Sequence, residues 1–229
     1  MAAGLFLAGT DTDVGKTWVG AAIIRTLRSA GHVVAAYKPV ASGFVSAADE
    51  RSDGWILWDA AGRRGDPRDV CPQSYAAAIA PAASARAAGC RVDDGLLRSG
   101  FAARRAAGDV VVVEAAGGLF SPLSDETLGV DLAREFALPL VVVDAVRLGA
   151  IGRSLAVLCA ARAEGVRPVA VVLSHTTPPG AETGPAAPRT IAREAAAEIA
   201  RRSMLPVAVL DHGAASMPPG IDWLALAAG

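Results

Sequence analysis

Asparagine is absent from this 229-residue chain, and lysine nearly so: of 22 basic residues only Lys16 and Lys38 are lysine. Arginine serves everywhere else, which points to two places where a compact ammonium does what a broad planar guanidinium does not; a coding bias that left two lysines by chance is the alternative. A surplus of either charge is also missing. The net charge of −1 gives no broad pull toward nucleic acid or anionic lipid, so any anion is held locally. Long apolar runs are missing too: Leu138–Val143 and Val169–Leu173 are too short to span a bilayer, and Asp144 closes the first. The N-terminus shows no basic stretch ahead of an apolar core and cleavage site, because Leu5–Ala8 runs directly into a glycine turn, and a cytoplasmic protein is expected. Cys71, Cys90 and Cys159 are odd in number and far apart, without disulfide or metal-ligand spacing, and are expected to be reduced packing residues.

What is present is ordinary globular material: 52% apolar and 20% charged residues, enough for a sizeable core, in a length that suits one domain over 1–229. Short β-branched runs alternate with Ala-rich stretches. The runs Leu5–Ala8, Val33–Tyr37, Val110–Glu114, Leu140–Val143, Val169–Leu173 and Val207–Leu210 read as strands. Their continuous apolar character implies burial on both faces. Lys16–Ala30, Val92–Ala106, Thr127–Ala137, Ile151–Glu164 and Arg189–Arg202 supply the covering helices. The expected fold is α/β, a doubly wound, mostly parallel sheet with ligands beyond the strand carboxyl ends, and the turn Gly9–Thr17, with its Gly15-Lys16-Thr17 ending between the first strand and the first helix, makes it one of the P-loop NTPase type.

The most specific motif is Gly9-Thr10-Asp11-Thr12-Asp13-Val14-Gly15-Lys16-Thr17, which follows the first strand and opens a helix. In that context backbone N–H groups turn inward on phosphate oxygens and the helix N-terminus adds positive potential. Lys16 then reaches the outer phosphates, and the Thr17 hydroxyl ligates magnesium. The spacing is one residue longer than the common loop, and Thr10 stands where a glycine is expected. Lys38-Pro39-Val40-Ala41-Ser42-Gly43 places a second ammonium after the second strand, suited to charge developing in phosphoryl transfer, with Ser42 able to hold a polar substrate group. Glu114 ends the third strand ahead of a small-residue turn, Ala115-Ala116-Gly117-Gly118, and reads as a magnesium carboxylate or a helix cap. By spacing alone Ser52 or Asp53 reads as a helix cap, with a second metal carboxylate at Asp53 as the alternative. Arg147 is placed to meet a carboxylate or a neighbouring subunit. The three histidines form no triad, and His175 is assigned to the nucleotide pocket.

Together Gly9–Thr17, Lys38–Gly43, Glu114–Pro122, Leu148-Gly149 and Thr177-Pro178-Pro179-Gly180 resemble dethiobiotin synthetase in order and spacing over most of the chain, most weakly after Pro188. The resemblance implies that 7,8-diaminononanoate captures CO2 as a carbamate, that ATP phosphorylates it, and that the neighbouring amine closes a ureido ring. It implies carbamate and diamine contacts at Thr12, Lys16, Lys38 and Ser42, with Lys38, Lys16 and Thr12 catalytic. The magnesium ligands are then Thr17, Asp53 and Glu114. Nucleotide contacts fall at Asp13, Val14, Gly15, Lys16, Thr17, Asp53, Glu114, Ala115, Ala116, Gly117, Ser174 and His175. A turn at Gly149, Ala150, Ile151 and Gly152 receives the substrate carboxylate across a homodimer. The family pattern is departed from at Asp13, Ala115, Gly152-Arg153 and Ser174-His175.

Two other classes share this sheet. A partition- or septum-type ATPase switch needs a signature lysine in the phosphate loop, where this chain has Asp11-Thr12-Asp13, and Trp223–Leu226 lacks a basic membrane-anchoring face. A glutamine-dependent amidating synthetase needs a further nucleophilic-cysteine domain, for which this length is too short.

Overall fold

The computed structural model describes residues 3–178, 180, 184 and 186–229, so Pro179 of the Thr177–Gly180 motif lies outside the described residues. In chain order the elements are β1 (Ala3–Gly9), α1 (Lys16–Ser29), β2 (Val34–Tyr37), β3 (Ala41–Ser42), α2 (Asp53–Ala60), α3 (Pro67–Val70), β4 (Ser74–Tyr75), α4 (Pro81–Ala87) and α5 (Asp94–Arg105). They continue as β5 (Val110–Gly118), α6 (Gly129–Phe136), β6 (Leu140–Ala145), α7 (Ala150–Ala163), β7 (Pro168–Ser174), α8 (Pro188–Ser203), β8 (Val207–Leu210) and α9 (Trp223–Ala228).

Among the described residues six strands form one sheet in the order β2-β5-β1-β6-β7-β8, and every neighbouring pair is parallel. Side chains alternate across a strand. In β1, Phe6 and Ala8 therefore enter one core while Leu5 and Leu7 enter the other, and Val111 and Val113 of β5 part from Val110 and Val112 in the same way. The first core is closed by Leu97 and Phe101 of α5, Phe136 of α6, Leu158 of α7 and Ile199 of α8. The second is closed by Ile23 and Leu27 of α1, Leu57 of α2 and Trp223 of α9. Two apolar faces on one strand explain why the runs in the sequence are continuous rather than alternating. The doubly wound parallel sheet is as expected, and all six of its strands coincide with runs read from the sequence.

Three features differ from expectation. Two two-residue strands, β3 and β4, form a second, separate sheet; runs that short leave no periodic signal. The strand carrying Glu114 does not end there. It continues as β5 to Gly118, because the register with β1 shifts between Leu7 and Gly9: Leu7 pairs with Glu114 and Gly9 with Gly118. The irregularity absorbs the extra residues, and the expected turn at Ala115–Gly118 is strand. Of the three cysteines only Cys71 packs in the interior; Cys90 and Cys159 are exposed, and all three are free thiols. Among the described residues no helix is long and apolar enough to cross a membrane.

Candidate functional site

β1 delivers the chain to the carboxyl edge of the sheet, and α1 leaves from it. Helix α1 has neither a side-chain cap nor an acidic residue in its first turn, so its leading N–H groups stay free for an anion. Gly15, the residue before it, has φ 86°. A Cβ there would stand 2.5 Å from Ser174 Oγ, so only glycine lets the loop lie this close to the end of β7. Asp13 is also in the left-handed region at φ 56°. The loop is anchored to the sheet by Thr10, whose N–H donates to the Val143 carbonyl at 2.9 Å.

Lys16 is buried and its Nζ donates to the Asp11 carbonyl at 3.0 Å. Burial pushes its pKa below the ordinary lysine value; Glu114 opposes that shift and Lys38 adds to it. Thr17 Oγ1 lies 2.9 Å from Asp53 Oδ1 and 3.0 Å from Glu114 Oε1. Between the same two carboxylates sits Lys38, with Nζ 2.9 Å from Asp53 Oδ2 and 2.5 Å from Glu114 Oε1. Lys38 is 2% exposed and Glu114 1%. Burial opposes the Lys38 charge, but Asp53 and Glu114 outweigh it and hold the ammonium's pKa above the ordinary lysine range. Burial likewise raises Glu114, against the pull of Lys38. Asp53 is pushed up by burial and down by Lys38 and Thr17, and the net shift is downward.

The alternative left open at the start of α2 is decided by geometry. Ser52 is the cap, accepting from the Trp55 N–H at 3.1 Å, and Asp53 in the first turn is free to face Lys38. Both lysines, Thr17, Asp53 and Glu114 thus converge. Among the described residues no three His, Cys, Asp or Glu side chains gather as a metal centre. Two carboxylates and a hydroxyl nevertheless meet here, and Glu114 Oε2 is buried without a hydrogen-bond partner.

The other expected site residues lie on the segments that follow or end β1, β2, β5, β6 and β7. Thr12 is exposed in the phosphate loop, its N–H held by Asp11 Oδ1 at 2.8 Å. Ser42 lies half-buried on β3. Ala115, Ala116 and Gly117 continue β5 beyond Glu114. Gly149 caps α7 at φ 87°, with Ala150, Ile151 and Gly152 in its first turn. Ser174 and His175 are buried at the end of β7. Burial lowers the His175 pKa, with Asp211, 4.0 Å from Nε2, opposing. A neutral imidazole suits a pocket wall more than a proton carrier. Arg147 meets a carboxylate within this chain, Asp11, at 3.2 Å.

One group the sequence reading passed over is Asp144, fully buried near the end of β6. In the sequence it closes an apolar run, and a carboxylate at that place on a buried strand is the signal that marks it.

Comparison with known proteins shows the family. A family model described as an AAA domain matches residues 3–210. The chain is 41% identical over 190 residues to the ATP-dependent dethiobiotin synthetase of Rhodopirellula baltica, covering 76% of this chain and 73% of that one. It is 39% identical over 198 residues to the enzyme of the same name from Anaeromyxobacter dehalogenans strain 2CP-C, covering 86% and 84%. With the Caulobacter vibrioides protein of that name, strain NA1000, identity is 38% over 176 residues, covering 75% and 80%. Identities of this size, over a chain whose phosphate loop, paired lysines and buried carboxylates meet at one sheet edge, make it a member of the dethiobiotin synthetase family.

Proposed function

We propose that the chain converts 7,8-diaminononanoate, CO2 and ATP into dethiobiotin, ADP and phosphate. The observation that carries this reading is Lys38: a buried ammonium 2.5 Å from Glu114 and 2.9 Å from Asp53, at the edge where the phosphate loop opens. One amine nitrogen attacks CO2 and loses a proton, giving a carbamate. A carbamate oxygen attacks the γ-phosphorus, the bond to the bridging oxygen breaks, and ADP leaves. The second amine attacks the carbonyl carbon of that mixed anhydride, the C–O bond to phosphate breaks, and the ring closes with loss of a proton. Each step gathers negative oxygens, and Lys16 and Lys38 offer fixed positive charge with little reorganisation.

In this reading the N–H groups of Asp13–Thr17 cradle the phosphates, and Ala115, Ala116, Gly117, Ser174 and His175 border the nucleotide. Thr12, Lys38 and Ser42 hold the carbamate and diamine. The turn Gly149, Ala150, Ile151 and Gly152 receives the carboxylate across a homodimer, which brings the second amine into near-attack geometry. Magnesium suits the oxygen set of Thr17, Asp53 and Glu114, and the unpartnered Glu114 Oε2 is an oxygen for such a cation. When bound, it supplies positive charge to the phosphate oxygens. The expected setting is the cytoplasm.

The test is phosphate release with ATP, magnesium and bicarbonate, with and without 7,8-diaminononanoate, and mass detection of the product. Diamine-dependent release with dethiobiotin formed is expected; release indifferent to the diamine would refute the reaction. The pH profile adds a second expectation. Because burial lowers the Lys16 pKa, its positive charge is lost as pH rises earlier than for an ordinary lysine at 10.5. Lys38, shifted upward, keeps its charge longer. The kcat/KM for ATP should therefore fall on the alkaline side at a pH below 10.5. A flat profile up to that pH would contradict the assignment.

A further inference from the structure

Thr10 stands in the phosphate loop where a glycine is usual, and the structure shows what its side chain touches. Its Oγ1 donates to Asp144 Oδ1 at 2.6 Å. The same carboxylate oxygen accepts from the Ala145 N–H at 2.8 Å and from Arg153 Nη2 and Nε at 3.2 and 3.3 Å. Its other oxygen accepts from Ser154 Oγ at 3.4 Å. Asp144 has no exposed surface, so these protein groups are what its carboxylate has to bond with. Arg153 reaches in the opposite direction as well, donating from Nη1 to the Leu148 carbonyl at 3.1 Å.

We propose that Asp144 is a positioning residue that clamps the phosphate loop to the first turn of α7, through Thr10 on one side and Arg153 on the other. The proposal rests on the reading of Gly9–Thr17 as the triphosphate site. The reason is geometric. Thr10 and Asp144 belong to neighbouring parallel strand ends, and a main-chain bond alone, Thr10 N–H to Val143, leaves the following residues free to swing. A charge-assisted side-chain bond at the same residue removes that freedom. Asp11 follows directly, and its carbonyl holds Lys16 Nζ at 3.0 Å, so the direction of the clamp passes to the lysine that reaches for phosphate. Arg147, which pairs with Asp11 at 3.2 Å from the turn before α7, ties the same two segments a second time. A loop fixed before the nucleotide arrives loses less conformational entropy on binding it.

The experiment measures MgATP binding by calorimetry, kcat, and thermal unfolding for the parent protein and for Thr10→Val, Thr10→Ser, Arg153→Gln and the double variant Thr10→Val/Arg153→Gln. Thr10→Val keeps the shape and removes only the hydroxyl. It is expected to weaken MgATP binding roughly tenfold, the scale of one charge-assisted hydrogen bond. The kcat at saturating ATP should fall by a smaller factor than the affinity does, and Thr10→Ser should bind like the parent. Because both side chains act on one carboxylate, the double variant should bind less weakly than the two effects combined. A folded Thr10→Val that binds MgATP like the parent, or effects that simply add, would overturn the clamp. A lowered Tm with unchanged binding would show a merely structural contact and also overturn it. Should Thr10→Val fail to fold, the partly exposed Arg153→Gln decides by the same readings. A parent that binds MgATP but makes no dethiobiotin would sink the reaction alone, since the clamp is judged on binding.

Discussion

Lys38→Met is expected to cut dethiobiotin formation steeply, with kcat falling by about a hundred- to a thousandfold, the scale seen when one preorganised donor is removed from an active site. Two effects follow from one substitution, and they are separable. The first is on stability. The change leaves Glu114, 1% exposed, without its 2.5 Å partner, and removing one member of a buried pair costs about 3–5 kcal/mol. Lys16, which already pulls on Glu114, offsets part of that. The second effect is on chemistry, where the developing negative oxygens lose their nearest cation. Lys38→Met combined with Glu114→Gln removes the uncompensated charge and should regain most of the lost stability, yet stay inactive. MgATP binding by the single variant should remain close to the parent's, because the loop N–H groups and Lys16 are untouched. Chemical denaturation, calorimetry and turnover measured together test this. Equal loss of nucleotide affinity and of turnover in Lys38→Met would show that Lys38 serves the nucleotide rather than the carbamate. Lys38→Arg should not restore activity, since the guanidinium is too broad for a space set by Asp53 and Glu114.

Gly15→Ala should remove nucleotide binding with the opposite signature, affinity lost first and the reacting groups left in place. The added methyl would lie 2.5 Å from Ser174 Oγ and 3.1 Å from its Cβ, in a backbone held at φ +86°. The left-handed conformation alone costs about 1–2 kcal/mol for a residue with a Cβ. The clash is worse, because Ser174 ends a buried strand and has no room to yield. Relief comes only by moving the loop, which turns its N–H groups off the phosphates. MgATP affinity is expected to drop by about a hundredfold or more, given that each 1.4 kcal/mol is tenfold. Ser174→Ala in the same chain takes away the oxygen and keeps the positive φ, so it should recover part of the affinity and not all. No loss of affinity in Gly15→Ala would mean that the loop does not hold the phosphates where its geometry points them.

The comparison of Asp53 with Ser52 shows how far local chemistry carries. Both residues fit a helix cap by spacing; the hydroxyl takes that role, and the carboxylate is left to Lys38. Glu114 shows the opposite case. Its arrival at the sheet edge is legible from a buried apolar run, whereas its place inside a strand that continues to Gly118 comes from a register shift against β1, and nothing local to Val110–Gly118 encodes that shift.

Local sequence accounts for the six strands of the main sheet, for five of the helices around them (α1, α5, α6, α7 and α8), and for the phosphate loop. These depend on residues close along the chain: apolar runs wanting burial on two faces, and a glycine-rich turn ahead of a helix. Which charges meet is a matter of the packed fold. Lys38 and Glu114 are 76 residues apart and Thr10 and Asp144 are 134 apart. Whether such pairs touch depends on strand order, β5 between β2 and β1 and β6 on the far side of β1. Strand order is settled by how whole layers pack, and a buried carboxylate finds its partner only after that packing is complete.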